Sequence, residues 1–204
     1  MPKETFHNLP EWKQELVLQA VKKEFERHPV HEASVKDIVT ELGIARGSFY
    51  TYFENLEESY FTVLERETVE THELFIRLFR ESGRDLFRSL ELFGNELSVE
   101  LFREDRFALY RNRFLFWTED LDIQWKRFRD RNGTSQRMNV ESGLNPDGDR
   151  DVREMMHFIR AIIHDLIRRL FAENWNKDMF IDNYRCHAGY IENGLKLMTE
   201  KKGE

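Results

Sequence analysis

The chain has 204 residues, a formal net charge of −7 at pH 7, 34% charged residues, and only ten glycines and four prolines. So few helix-breaking residues among so many charged ones favour an all-α fold. The single cysteine, Cys186, excludes an internal disulfide, and no apolar run approaches the roughly 20 residues that cross a bilayer. No signal peptide is evident, so we expect a cytoplasmic protein with no membrane partner.

Hydrophobic periodicity predicts three helices in the N-terminal part. The first covers residues 10 to 27, because Pro29 disfavours a helical residue before it. Ser34, with an acid three residues later, opens a short second helix that Gly43 closes. A third follows from about Ala45 to Tyr52. The apolar stripe of the first helix is expected to consist of Trp12, Leu16, Val17, Ala20, Val21 and Phe25.

The remaining chain also follows helical spacing. Asn55 begins a long helix, capped by an acid three residues later, that ends near residues 81 to 85. Apolar positions then predict a helix from Leu86 to Leu101 and a single segment from Phe107 to Phe128. Residues 132 to 149 are polar and rich in glycine and asparagine, which predicts a loop. Two further helices are predicted over about 150 to 174 and 178 to 200.

A helix, a tight turn at Gly43 and a short helix together form a helix-turn-helix. The segment SVKDIVTELGIARGSFYTYFENLEESYF, residues 34 to 61, resembles the DNA-binding region of the TetR family of bacterial transcription regulators. The resemblance covers about the first third of the chain. It implies a helix-turn-helix DNA-binding domain over residues 1–54 and an all-helical effector-binding and dimerisation domain over residues 55–204. The matching features are the SVKDI opening, Gly43-Ile44, Arg46-Gly47-Ser48, Phe49-Tyr50, Tyr52-Phe53 and the capped helix beginning at Asn55.

The resemblance assigns DNA contacts to the second and third helices. Arg46 can reach a phosphate or bind a guanine edge in a bidentate manner, and Gly47 lets the third helix approach DNA closely. Hydroxyl side chains and the amino end of the second helix suit phosphate oxygens. On spacing alone, Tyr50, Tyr52 and Phe53 could instead be ordinary core residues of a helical bundle. The predicted DNA-binding residues are Ser34, Lys36, Ala45, Arg46, Gly47, Ser48, Tyr50, Thr51 and Tyr52.

Three positions depart from the family pattern. Ala45 replaces the usual hydroxyl cap of the third helix, which costs about 1 kcal/mol of capping energy. Leu56 stands where a lysine is common, and Pro29-Val30 replaces a glycine-aromatic pair. Residues 1 to 66 also contain eight Lys or Arg against twelve Asp or Glu. We therefore expect modest, salt-sensitive affinity for DNA.

The C-terminal part is dense in aromatic residues, a composition typical of ligand pockets, although helical spacing alone favours ordinary core packing for each one. The resemblance implies a small-molecule effector, which we expect to be apolar or aromatic, and a homodimer formed by the last two helices. About half of the dimer candidates could instead pack within one chain. The pocket candidates are Phe79, Phe93, Phe114 and Trp117. The dimer candidates are Met155, Ile159, Ile163, Leu166, Leu170, Tyr184, Ile191 and Leu195.

These features predict a repressor that binds a near-palindromic double-stranded operator as a homodimer and is released by its effector. We expect no cofactor, metal or catalytic site, because the pairs His28–His31, His157–His164 and Cys186–His187 lack metal-ligand or catalytic spacing. The alternative is a helical regulator that acts mainly through protein partners and binds DNA weakly. The acidic N-terminal part, Ala45 and Leu56 favour that alternative.

Overall fold

The computed structural model describes residues 2–132 and 150–201, and their side chains except at 67–73, 76, 150–157 and 195–201. All the regular secondary structure within these ranges is helical, which confirms the all-α prediction. None of the described helices is long and apolar enough to cross a bilayer. The helices are α1 Glu4–His7, α2 Glu11–Arg27, α3 Val35–Leu42, α4 Arg46–Tyr52, α5 Leu56–Glu81, α6 Leu86–Leu101, α7 Glu104–Phe116, α8 Glu119–Asn132, α9 Arg150–Ala172 and α10 Lys177–Lys201.

The chain divides into two compact units. The first contains Met1–Glu70 and Asp105–Met138, and the second contains Thr71–Glu104 and Asn139–Glu204. The first unit therefore includes the predicted DNA-binding segment, the start of α5, and most of α7 and α8. The predicted boundary between a DNA-binding domain, residues 1–54, and an effector-binding and dimerisation domain, residues 55–204, is a functional division and stays a prediction.

The core of the first unit joins helices that are far apart in the sequence. Phe25 of α2, Phe49 of α4 and Phe128 of α8 are all fully buried in one apolar cluster. Aromatic contacts extend this cluster to α5. The centroid of the Phe61 ring lies 5.6 Å from that of Trp125 and 5.7 Å from that of Phe128. The helices α7 and α8 thus complete the core on which the N-terminal helices rest.

The apolar stripe predicted for α2 is partly wrong. Trp12 is 68% exposed and Leu16 is 52% exposed. The buried positions of α2 are Val17, Ala20, Val21, Glu24 and Phe25, which recur every three or four residues and place one charged residue in the stripe. Trp12 and Leu16 lie more than a quarter turn from the centre of that face, because one helical residue rotates by about 100°.

The single helix predicted from Phe107 to Phe128 is also wrong. The helix α7 begins earlier, at Glu104, and ends at Phe116, and α8 begins after Thr118. The Thr118 hydroxyl accepts a hydrogen bond from the backbone N–H of Leu121 at 3.2 Å, and three acidic residues occupy the first turn of α8. Both features stabilise a helix start, so the break has a local cause that apolar spacing does not reveal.

The second unit is built around the pairing of α6 and α10. Leu90 of α6, Ile159 of α9 and Ile191 of α10 are buried together. The hydroxyl of Tyr184 in α10 donates to the carbonyl of Leu90 at 2.8 Å, and its ring lies directly over Gly94. A side chain at position 94 would overlap that ring, so the close approach of the two helices depends on this glycine.

Candidate nucleic-acid interface

The turn between α3 and α4 is a Schellman motif. Gly43 has a φ of +64°, in the left-handed region that favours glycine. The N–H of Ile44 donates to the carbonyl of Val39 at 3.1 Å, and the N–H of Gly43 donates to that of Thr40 at 3.2 Å. These two bonds satisfy carbonyls at the end of α3 and direct the chain into α4, as the sequence predicts for a helix-turn-helix.

The start of α3 is fixed from two sides. The Ser34 hydroxyl accepts a hydrogen bond from the N–H of Lys36 at 3.1 Å, which confirms the predicted cap. The N–H of Ser34 itself donates to the buried carboxylate of Glu24 in α2 at 2.7 Å rather than to Asp37, so the acid three residues later does not complete a capping box. Lys36 is exposed and Ser34 is half-buried. Of this pair of predicted phosphate contacts, the Lys36 side chain is therefore the more accessible.

A salt bridge links the outer faces of α2 and α3. The Glu41 carboxylate lies 2.8 Å from Lys23 Nζ and 3.3 Å from Arg27 Nη1. The hydrogen bond from Lys23 is the main reason why the pKa of Glu41 lies below its ordinary value. Because Glu41 neutralises part of the charge of both cations, the positive potential of this surface is lower than its count of lysine and arginine suggests.

One face of α4 is exposed and the other is core. Arg46, Gly47, Tyr50 and Thr51 are exposed, as is Ala45 before the helix, and Ser48 is half-buried. Phe49 and Tyr52 face the core, and Tyr52 is only 9% exposed. Tyr52 was predicted to contact DNA, but it follows Phe49 by three residues and so shares the buried face. Eight of the nine predicted DNA contacts are thus exposed or half-buried, and Tyr52 is buried.

Arg46 and Tyr50 are paired on the exposed face. Arg46 Nη2 donates to the Tyr50 hydroxyl at 3.2 Å, and the guanidinium carbon lies 5.8 Å from the centroid of the Tyr50 ring. A Cβ added at Gly47 would meet no atom within 4 Å beyond its chain neighbours and the backbone of its own helix, so packing does not require glycine there. The two side chains and the open backbone between them form a contiguous patch of donors and apolar surface.

The amino-terminal caps of α4 and α5 differ. Ala45 gives α4 no side-chain cap, as its residue type requires. Asn55 Oδ1 instead accepts from the N–H of Glu58 at 2.8 Å, and the Glu58 carboxylate accepts from the N–H of Glu54 at 2.7 Å, which confirms the predicted acidic cap. Leu56 packs against the apolar core of this unit. Leu56 therefore contributes to the core at a position where a lysine could have contacted a phosphate.

The N-terminal segment contacts the end of α4, which the sequence did not indicate. The Lys3 N–H donates to the carbonyl of Tyr52 at 2.8 Å, and Lys3 Nζ donates to that of Tyr50 at 2.7 Å. The Thr5 hydroxyl donates to the carbonyl of Thr51. The helix α1 has four residues and one buried side chain, Phe6, so it carries too little periodicity to be recognised.

The predicted pocket residues are divided between the two units. Phe79 and Phe93 belong to the second unit, where both contact the ring of Phe75 at centroid distances of 6.3 and 5.3 Å. Phe114 and Trp117 belong to the first unit, where the guanidinium of Arg113 lies 5.7 and 5.4 Å from their rings. Burial lowers the pKa of that guanidinium.

A cavity of about 470 Å³ lies between α6 and α10 in the second unit, and none of the four predicted pocket residues lines it. Its charged lining residues belong to both helices. They are Asp85, Arg88, Glu91, Arg185 and Glu192.

Most predicted dimer residues are buried within the single chain. Ile163 is half-buried, and the side chains of Met155 and Leu195 lie outside the described residues. A side chain that is already enclosed has little surface left for a partner. The large apolar side chains exposed on the same two helices include Phe158, which is 58% exposed, and Tyr190, which is 69% exposed. The predicted residues buried in the chain are Ile159, Leu166, Leu170, Tyr184 and Ile191.

Solved structures of similar fold support this architecture. A regulator assigned to the TetR family from Mesorhizobium loti is 14% identical, with 88% of this chain and 95% of that chain covered and a TM-score of 0.58. A TetR-like transcriptional regulator from Rhodococcus sp. RHA1 is 19% identical, with 93% and 99% covered and a TM-score of 0.52. At these identities the likeness shows the fold alone.

Two family models match different parts of the sequence. The model described as "Bacterial regulatory proteins, tetR family" matches residues 17–58. The model described as "Tetracyclin repressor, C-terminal domain" matches residues 86–194, which is more than half of the chain. No curated protein gives a significant match. The chain therefore belongs to the TetR family of bacterial transcription regulators and carries that family's helix-turn-helix DNA-binding domain.

Proposed function

We propose that this regulator is a repressor that binds a near-palindromic operator as a homodimer through α4 and leaves it when a small-molecule effector binds. The observation that carries the proposal is the division of α4 into two faces. Phe49 and Tyr52 anchor the helix in the core, while Arg46, Tyr50 and Thr51 are exposed on the other side. A short helix held in this way can enter the major groove with its side chains free to contact base edges.

The exposed cations near α4 are few, so the affinity for DNA would depend on a small number of local contacts. Lys3, Lys36 and Arg46 are exposed cations on α3, α4 and the segment that contacts α4. Glu41 reduces the contribution of Lys23 and Arg27 by pairing with both. The affinity is therefore expected to be modest and salt-sensitive, with a salt slope shallower than that of a strongly basic protein because few phosphates are contacted.

The family and the surface of the last two helices both support a homodimer. Phe158 on α9 and Tyr190 on α10 are large apolar side chains exposed in the single chain. Two copies joined there would present two α4 helices to half-sites about 34–36 Å apart or a multiple of that distance. We retain Ile163, Met155 and Leu195 as further interface candidates.

The effector would act by favouring one of two spacings of the two α4 helices, which are the proposed recognition helices of the dimer. A ligand shifts such an equilibrium only by its difference in affinity for the two states. The ring cluster of Phe75, Phe79 and Phe93 in the second unit supports an apolar or aromatic ligand. The charged cavity between α6 and α10 is the alternative location. Phe114 and Trp117 remain candidates within the first unit.

The test is the selection of bound duplexes from a random library, followed by salt titration of the selected operator. Arg46→Ala should weaken binding about fivefold or more, since a bidentate contact to guanine contributes about 1–3 kcal/mol. Arg111→Ala is the control, because Arg111 is also exposed but lies on α7. Equal effects of the two variants would contradict the proposed interface. Absence of any specific complex at low salt would favour regulation through protein partners instead.

A further inference from the structure

Residues 2 to 9 form a short strap against the carboxyl end of α4. Pro2 and Phe6 are buried and Leu9 is half-buried. The Phe6 ring lies 6.3 Å from that of Tyr52 and 5.4 Å from that of Phe53 between centroids. The strap is therefore packed onto the recognition helix and lies outside the matched N-terminal family region, which begins at residue 17.

The strap also supplies hydrogen-bond donors to the last three residues of α4. The carbonyls of Tyr50, Thr51 and Tyr52 receive bonds from Lys3 Nζ, the Thr5 hydroxyl and the Lys3 N–H, respectively. Carbonyls in the last turn of a helix have no partner within that helix. The Lys3 ammonium also lies where the helix dipole is negative, which favours a cation.

The recognition helix has little support of its own. It has seven residues, far below the length at which an isolated helix is stable in water. Ala45 provides no side-chain cap, and the helix contains a glycine and several residues of low helix propensity. Its geometry must therefore come from tertiary contacts, and at its carboxyl end the strap provides them.

We propose that the strap is a positioning element of the recognition helix, in which Lys3 and Thr5 hold the turn that carries Tyr50 and Thr51 in its DNA-reading geometry. This inference rests on the proposed function for its effect on operator affinity. Its effect on α4 itself is independent of DNA. Thr5 is the more informative residue, because it carries no charge and its loss removes no electrostatic attraction to phosphate.

The experiment measures amide hydrogen exchange of α4 in the full chain without DNA, for Thr5→Val and Thr5→Ser. Valine keeps the shape and loses the donor, whereas serine keeps the donor. Thr5→Val should speed exchange in the last turn of α4 about twofold to tenfold, as expected for one lost hydrogen bond. Thr5→Ser should stay near the wild type. Lys3→Met should act in the same direction as Thr5→Val.

Thr62→Val is the matched control. The Thr62 hydroxyl donates to the carbonyl of Glu58 at 2.8 Å within α5, so its loss should leave exchange in α4 unchanged. On the selected operator, Thr5→Val should lower affinity by no more than the factor by which it raises exchange, because affinity falls only with the fraction of the binding-competent state, and the salt slope should not change.

The inference is overturned if α4 exchanges equally in the wild type and Thr5→Val, or if Thr5→Ser behaves like Thr5→Val. A wild-type chain that binds no DNA would contradict the proposed function, while the exchange measurement would still decide the role of the strap.

Discussion

Asn112 in α7 donates from its side-chain amide to the carbonyl oxygen of Phe25 in the last turn of α2, over 2.9 Å. The same nitrogen lies 3.1 Å from the carbonyl of Glu26. Asn112 is buried, so its amide would lose hydrogen bonds to water without these partners. A helix of the matched C-terminal region thus caps α2, the helix that precedes the helix-turn-helix.

Asn112→Ala should destabilise the protein by about 1–3 kcal/mol, because it leaves two carbonyls without their donor. Urea denaturation of the full chain measures the change. Asn183→Ala is the control, since the Asn183 amide donates to a carbonyl of its own helix, that of Met179, at 2.8 Å and is more exposed. Similar losses for the two variants would show that the bond to α2 has no special role.

Gly94→Ala should destabilise the second unit by about 1–3 kcal/mol through overpacking against Tyr184. The ring cannot move away easily, because it is buried and its hydroxyl is bonded to Leu90. Burial raises the pKa of Tyr184, so the hydroxyl stays a donor at neutral pH.

Gly189→Ala provides the comparison for Gly94, as both glycines lie inside helices and the added methyl at position 189 meets nothing within 4 Å. It should raise stability by up to about 1 kcal/mol, because alanine has the higher helix propensity. Thermal denaturation distinguishes the two, and a loss of the same size at both positions would refute the packing argument.

Ala45→Ser should stabilise α4 by about 1 kcal/mol, since serine can cap the N–H of Gly47 or Ser48. Position 45 already has the extended conformation of a cap, with φ −68° and ψ 145°. The urea midpoint and the operator affinity should both rise. Ala172→Ser, at the last residue of α9, offers no free N–H to cap and should change stability by less than about 0.5 kcal/mol. Unchanged stability in Ala45→Ser would argue against a missing cap.

The ion pair of Glu41 should make stability depend on pH in acid. The pKa of Glu41 is lowered by the hydrogen bond from Lys23 and by the charges of Lys23 and Arg27. A lowered pKa in the folded state contributes stability above the unfolded value of about 4.3, and this contribution is lost as pH falls through the folded value.

Glu41→Gln should therefore cost a few tenths of a kcal/mol at pH 6–8, the usual scale for a partly exposed pair. The difference from the wild type should shrink as pH falls below the unfolded value of about 4.3 and should vanish once the carboxylate of the folded wild type is protonated. Urea midpoints measured across this range test the prediction. A difference that persists at the lowest pH would have to come from something other than the charge of Glu41.

Local signals in the sequence predicted the helix-turn-helix well. The Ser34 cap, the left-handed Gly43 and the Asn55 cap depend on residues within a few positions of one another, and all three are confirmed. The family assignment, which rests on the same segment, is confirmed by the matched family models.

Contacts between distant segments could not be predicted in this way. The bonds from Lys3 to α4 and from Asn112 to α2 join residues roughly 47 to 87 positions apart, and no periodicity records them. The sequence could not separate core from interface positions for the same reason, since Tyr52, Ile159 and Leu166 are buried within the chain but have apolar or amphipathic side chains that suit both. The predicted pocket and dimer sites remain predictions.

The packing of α7 and α8 on the N-terminal helices limits how this regulator can be recombined with its relatives. Leu109, Leu121, Trp125 and Phe128 share one apolar cluster with the helix-turn-helix, although they lie within the region matched by the C-terminal family model. A chimera cut after residue 58 would expose one side of that cluster and leave Phe25 without its neighbours from these helices. Exchange of operator specificity between family members would therefore have to transfer α7 and α8 together with the recognition helix.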